Sequence, residues 1–427
     1  MLKKELEESY IRILQRELVP ALGCTEPIAL AYAAAKACKV LGQFPEKMIV
    51  YCSGNVIKNV KAVTVPNSGG MRGVDAACVL GAVGGNADRE LEVLEDITEE
   101  DIKKTRELLK TDFIECRLQK DVENLYIVAE VYAKNHSAKV KIVNRHTLIT
   151  EIVKDEKVIY QIDMAAENSK EDYSKLTIRD ILEFANTVET DKLKDLLNRQ
   201  IEMNQAVSNE GMKNPYGAEV GRTLMEKADS SVRTRACAYA AAGSDARMGG
   251  CSLPVVINAG SGNQGMTVSL PVIVYAEYLG KSREELYRAL IVSNLVAIHQ
   301  KHYIGSLSAF CGAVIAASGA GAAITYMMDG SCEAVSRTII NTVANVGGIV
   351  CDGAKASCAA KIASAVDAAI LAHSLSMKGR TFHEGEGIIQ DTVEETIQSV
   401  GYVGRVGMKE TDHQILKIML NQVQFEK

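Results

Sequence analysis

Apolar residues in this chain change their period twice. Between Phe44 and Ile162 they fall into short runs separated by polar turns: MIVYCS (48–53), VIKNVKAVTV (56–65), FIECRL (113–118), LYIVAEVYA (125–133), AKVKIVN (138–144), HTLITEIV (146–153) and KVIYQI (157–162). Runs of this length, rich in β-branched residues and alternating in polarity, read as strands. Gly73 to Val83 reads as a small helix on that sheet. On either side of the block the spacing is helical. Leu6, Ile13 and Leu14 share one face, and Thr25-Glu26-Pro27 opens a second helix that Gly42 ends. From about Leu176 helical spacing returns and continues to the closing amphipathic segment KETDHQILKIMLNQV. The class expected is therefore α+β. A mainly helical domain is built from both chain ends, residues 1–43 and 168–427, and an antiparallel α/β module, residues 44–167, is inserted in it.

The helices must pack closely. The chain has no Trp, only 5% aromatic residues, and 33 Gly against 7 Pro, so small aliphatic side chains build the core. The run from Ser306 to Met328 carries no charge and is long enough to span a bilayer. It is mostly Ala, Gly and Ser, which transfer weakly into lipid, so it reads as a buried core helix and no membrane is expected. The formal charge of −6 is spread without a basic block, which argues against nucleic acid. The N-terminus is charged and amphipathic, unlike a signal peptide, so a cytoplasmic protein is expected. Apolar small-residue helices are compatible with a homodimer.

Eleven Cys in such a chain do not suggest a disulfide framework. Cys311 stands in SAFCGAV; Cys351 and Cys358 stand in GGIVCDGAKASCAAK, with Gly353 between them. There is no CxxC pair, so zinc-ribbon and ferredoxin spacings are missing. On spacing alone ordinary core packing is the first reading of these thiols. Each, however, lies beside a helix break where the chain could turn the thiols toward one point.

The spacing of Cys311, Cys351 and Cys358 resembles the cluster-ligand pattern of the L-cysteine desulfidases, a family related to the iron–sulfur-dependent L-serine dehydratases. ELVPALGCTEPIALAYAAA (17–35), SGNVIKNVKAVTVPNSGGMRG (53–73), DARMGG (245–250), NAGSGNQG (258–265) and GRVGM (404–408) are similar to further motifs of that family. The resemblance runs along essentially the whole chain. It implies an oxygen-sensitive 4Fe–4S cluster on Cys311, Cys351 and Cys358, with one iron left open, in the helical domain. It implies elimination of sulfide from L-cysteine to give pyruvate and ammonia.

Elimination needs a base for the Cα proton and help for the departing thiolate. Cys24 is the candidate base, and sequence does not separate that role from a transient ligand of the cluster. Its place at a helix start favours thiolate, and Glu26 in the same turn opposes it. Thr25 and Glu26 flank it as substrate contacts. The loop PNSGGMRG precedes a helix, so Asn67, Ser68, Gly69 and Gly70 are expected to hold the substrate carboxylate, joined by Asn55 and Lys58. GSGNQG resembles a phosphate cradle, but no Rossmann strand precedes it and no Lys-Ser/Thr follows. Ser261, Asn263 and Gln264 are instead expected to line the active site. His299 and His302 lack helical metal-pair spacing. Alternatives are an iron–sulfur L-serine or L-threonine dehydratase and a non-catalytic Fe–S sensor or carrier. No Lys stands in a recognisable pyridoxal phosphate context, so no PLP is expected.

Overall fold

The computed structural model describes residues 3–164, 172–226 and 231–423. Helix α1 (Lys4–Glu17) buries Tyr10, Ile13 and Leu14 on one face, as its spacing predicts. A short strand, β1 (Pro20–Leu22), leads to α2 (Thr25–Leu41), which is buried over most of its length. Gly42 closes α2 at φ +83°, a left-handed geometry that suits glycine.

Six strands follow: β2 (Lys47–Cys52), β3 (Ile114–Leu118), β4 (Tyr126–Ala133), β5 (His136–Val143), β6 (Ile149–Lys154) and β7 (Lys157–Gln161), in the order β3-β2-β4-β5-β6-β7. The expectation of a wholly antiparallel sheet needs correction. β2 and β3 run parallel, Val50 opposite Cys116. Three helices, α3 (Gly54–Val60), α4 (Val74–Gly84) and α5 (Glu99–Leu108), lie between them in sequence. That crossover is long enough to bring the chain back in the same direction.

A second correction concerns 56–65, read above as a strand. Its first half is helix α3. Ser53 accepts a hydrogen bond from the Val56 amide and caps the helix, and Val56 and Val60, four apart, face the core. The β-branched run satisfied both periods, and the cap decided between them.

Helices α6 (Ile178–Thr187), α7 (Lys194–Lys213), α8 (Val220–Met225) and α9 (Val232–Met248) come next. Strand β8 (Pro254–Val256) then pairs antiparallel with β1. The remainder is α10 (Gly262–Tyr278), α11 (Arg283–Ile304), α12 (Gly312–Met328), α13 (Cys332–Val346), α14 (Cys358–Ser376), α15 (Val393–Tyr402) and α16 (Lys409–Met419).

The uncharged run reads correctly as core, for α12 is buried almost throughout. It lies against α11 so closely that a Cβ on Gly319 would stand 2.4 Å from the Ser293 carbonyl oxygen. α14 is long and apolar enough to cross a bilayer, and half of that stretch is buried within the protein. α2 packs against β4, β5 and α4, so apolar contact is continuous from the sheet into the helices. The expected boundary at 167/168 falls outside the described residues.

Candidate active site

Three helices begin at one cavity, and each begins with a cysteine. Cys24 is the N-cap of α2, Cys311 the N-cap of α12, and Cys358 the first residue of α14. All three, with Cys351, line a cavity of about 790 Å³. The β5–β6 connection, Asn144 to Leu148, lies along another side of it.

Cys311 and Cys351 are brought together by backbone pairing. Phe310 and Val350 form an antiparallel bridge. The Cys311 amide donates to the Ile349 carbonyl at 3.0 Å, and the Cys351 amide donates to the Ala309 carbonyl at 2.6 Å. The chain then turns at Gly353, φ +94°, where a Cβ would stand 2.4 Å from the Lys58 carbonyl oxygen. That turn returns Cys358 to the same cavity, its thiol 3.7 Å from the Gly353 carbonyl.

The thiols sit in a demanding electrostatic setting. Burial pushes the Cys311 thiol up to about 12, and a charge on Cys351 would push the same way. Burial also raises Cys358. Helix starts favour thiolate, but here burial outweighs them. Cys24 is shifted well upward by burial first and by the Glu26 carboxylate second, while Arg247 acts in the opposite sense. At Cys24, therefore, burial and Glu26 favour the thiol and Arg247 favours the thiolate that a base requires.

Glu26 is the anchor of that turn. It accepts from the Asn59 amide at 2.9 Å and from the Thr25 hydroxyl at 3.1 Å, with the Cys24 thiol at 3.5 Å. His146, from the β5–β6 connection, stands 3.9 Å away. Burial alone would raise the carboxyl; His146, backbone and Asn59 hydrogen bonds outweigh it and hold the group at about 2.

Ser261, Asn263 and Gln264 line the cavity, as do Thr25 and Glu26. The other expected contacts do not. Asn55, Lys58, Asn67, Ser68, Gly69 and Gly70 lie outside its lining. The polar groups of that loop are bonded within it or to neighbouring segments. Asn67 donates to the Leu94 carbonyl at 2.9 Å, Ser68 to the Met71 carbonyl at 3.3 Å, and Arg106 reaches the Gly69 carbonyl at 2.8 Å. Lys58 is buried behind the cysteines, donating to Asp412 at 2.5 Å and to the Cys351 carbonyl at 3.4 Å.

Sequence reasoning missed Arg247, Asn59, His146 and Lys301. Arg247 is 2% exposed and lines the cavity. Its signal was an arginine ending the Ala-rich helix in the quoted motif DARMGG. Lys301 lies between the two histidines considered above. Burial lowers its ammonium to about 8, although Cys351, Cys311 and Glu26 work the other way. Of those histidines, His302 lines the cavity, whereas His299 is fully buried against Glu394 at 2.6 Å.

Among the described residues, no three His, Cys, Asp or Glu side chains are grouped to hold a single metal ion. A polynuclear cluster places each thiolate on a different iron, so its ligands stand farther apart than those of one ion. Cys311, Cys351 and Cys358 line one cavity, with Cys24 the remaining cysteine among its lining residues, and three such thiols would suit a cluster with one open corner.

The chain matches the family described as "Serine dehydratase alpha chain" over residues 88–417. It is 52% identical over 415 residues to a UPF0597 protein of Lachnoclostridium phytofermentans, covering 97% of this chain and 100% of that one. UPF0597 proteins of Finegoldia magna, 49% identical over 97% of this chain and 100% of theirs, and of Treponema denticola, 47% identical over 98% and 99%, are also similar. These alignments take in the N-terminal segment that carries Cys24.

Proposed function

Because the chain belongs to the serine dehydratase alpha chain family, we propose that it is an L-cysteine desulfidase, a carbon–sulfur lyase that releases sulfide from L-cysteine and leaves pyruvate and ammonia. The observation that carries this reading is the convergence of Cys311, Cys351, Cys358 and Cys24 on one cavity. Cys311, Cys351 and Cys358 would hold a 4Fe–4S cluster. Bound there, such a cluster supplies an iron without a protein ligand, a thiophilic Lewis acid for the leaving sulfur.

The chain's own residues supply the rest. Cys24 takes the Cα proton in its thiolate form, which Arg247 favours and burial opposes. Glu26 fixes the turn that carries Cys24 through its bonds to Asn59 and Thr25. The electron pair of the Cα–H bond becomes the C=C bond, and the Cβ–S bond breaks with its pair on sulfur. The enamine product tautomerises and is hydrolysed by water to pyruvate and ammonia. The same site acting on the hydroxyl of L-serine is the second reading, favoured by the family description. A sensor without substrate is less well supported, because Ser261, Asn263 and Gln264 add a polar wall that cluster binding alone does not need. The reading places the protein in the cytoplasm, where thiols stay reduced.

The test is anaerobic reconstitution, with iron and acid-labile sulfide counted and pyruvate followed from cysteine and from serine. Cys358→Ala should lose both cluster and turnover. Cys24→Ala should keep the cluster and lose most turnover. Full activity in Cys358→Ala would end the proposal, and a strong preference for serine would transfer it to the second reading.

A further inference from the structure

The cavity holds a buried cation that no carboxylate among the described residues contacts directly, although Glu26 acts on it through space. Arg247 donates through Nη1 to the Asn263 side-chain oxygen at 2.5 Å and through Nη2 to the Gly23 carbonyl at 2.5 Å. Both acceptors are neutral. Its Nε is buried and has no hydrogen-bond partner. Taking a guanidinium out of water without an anion is costly, so a buried arginine of this kind is normally paired.

The guanidinium lies on the first turn of α10. A Cβ on Gly262 would stand 2.3 Å from Nη2 and 2.6 Å from Nε, so only glycine lets the group settle there. The N-cap of α10 is Ser261, whose hydroxyl accepts from the Gln264 amide. The amides of Gly262 and Asn263, ahead of it, have no acceptor inside the helix. α10 runs for 17 residues, and the positive end of its dipole points to the same place. Gln264, which also lines the cavity, has a buried carbonyl oxygen without a donor.

We infer that Arg247 and the first turn of α10 are the seat of the substrate's α-carboxylate, with the Gln264 carbonyl an acceptor for its ammonium, so that the enzyme takes free α-amino acids and rejects carboxyl-blocked ones. The inference rests on the lyase reading and adds its recognition element. It replaces the 67–70 loop, whose polar groups are committed elsewhere. It also sets the orientation of the substrate. Nη2 is bonded to the carbonyl of Gly23, the residue before Cys24, so a carboxylate on Arg247 brings Cα beside the Cys24 thiol.

The experiment uses the full-length, anaerobically reconstituted protein as wild type, Arg247→Gln, Arg247→Lys and Gly262→Ala, each checked for cluster absorbance. L-cysteine is compared with L-cysteinamide in turnover, and L-alanine with L-alaninamide in calorimetric binding. Arg247→Gln should raise KM for L-cysteine by about a hundredfold and abolish the preference for free carboxylate, with a fall in kcat beside it because Arg247 also favours the Cys24 thiolate. Arg247→Lys should restore part of it. Gly262→Ala, which displaces the guanidinium, should behave like Arg247→Gln. Unchanged KM and unchanged preference would overturn the inference. So would a fall in kcat at constant KM, which would make Arg247 a counter-charge for a thiol instead. If Arg247→Gln does not fold, the other two variants decide by the same criteria. If the wild type turns over neither cysteine nor serine, the lyase reading fails by itself. The alanine-against-alaninamide comparison then still judges Arg247: a preference for alanine lost in the variants supports it, and equal binding overturns it.

Discussion

Glu26 shows how a single side chain links stability to the site. It is 8% exposed, yet its carboxyl is held at about 2 against the ordinary 4.5 by the groups around it. A group whose folded value is depressed stabilises the protein above its unfolded value, and that contribution disappears as pH falls toward the folded one. For Glu26 the window runs from about pH 4.5 down to about 2, and the contribution is roughly 3 kcal/mol. Glu26→Gln should therefore flatten acid unfolding over that window, as followed by circular dichroism. A curve as steep as that of the wild type would place the titration on other carboxylates. Because the Glu26 charge also raises the Cys24 thiol, the same variant should shift the pH dependence of kcat to lower pH without loss of cluster.

The elements around the site are held by a contact between two segments far apart in the chain. Lys58 on α3 and Asp412 on α16 form an ion pair at 2.5 Å, with side chains 2% and 12% exposed. The second Asp412 oxygen accepts from the Ala309 amide at 2.9 Å, and Lys58 also reaches the Cys351 carbonyl. The pair thus ties both cysteine-bearing segments to α3 and α16. Removing one partner of a buried pair costs about 3–5 kcal/mol, because the other charge is stranded. Lys58→Met should lower thermal stability accordingly and speed hydrogen exchange at 309–311 and 349–353 more than at β8. Uniform exchange would mean that the pair does not position those segments. Lys58 was expected on the substrate, and its role behind the cysteines is visible only once α3 is seen to be a helix.

On the scale of the molecule, the cavity lies where helix starts from distant parts of the chain meet the β5–β6 connection of the sheet. A cofactor bound there touches both, and binding only to the folded state raises stability by mass action. Cluster loading should raise the anaerobic melting temperature by several degrees in the wild type and leave Cys358→Ala unchanged. An equal rise in both would locate the bound iron elsewhere.

Much of this was legible in the chain. Helical spacing in α1 and α2, alternation in β4 to β7, and the short Cys351–Gly353–Cys358 turn are local patterns, and steric and burial preferences act over a few residues. The crossover that makes β2 and β3 parallel was not legible, because pairing direction depends on where a long connection returns. Nor was the choice between two glycine-rich loops. Both 66–73 and 258–265 look like anion cradles in sequence, but only the second is presented to the cavity, beside an arginine whose partner Gly23 lies 224 residues away in the chain. Local periodicity could establish the helices and most strands, and the motif resemblance named the candidate thiols. Which of them share a cavity, which loop faces it and which charge is left unpaired were settled by packing between distant segments, since burial and electrostatic pairing are properties of neighbours in space.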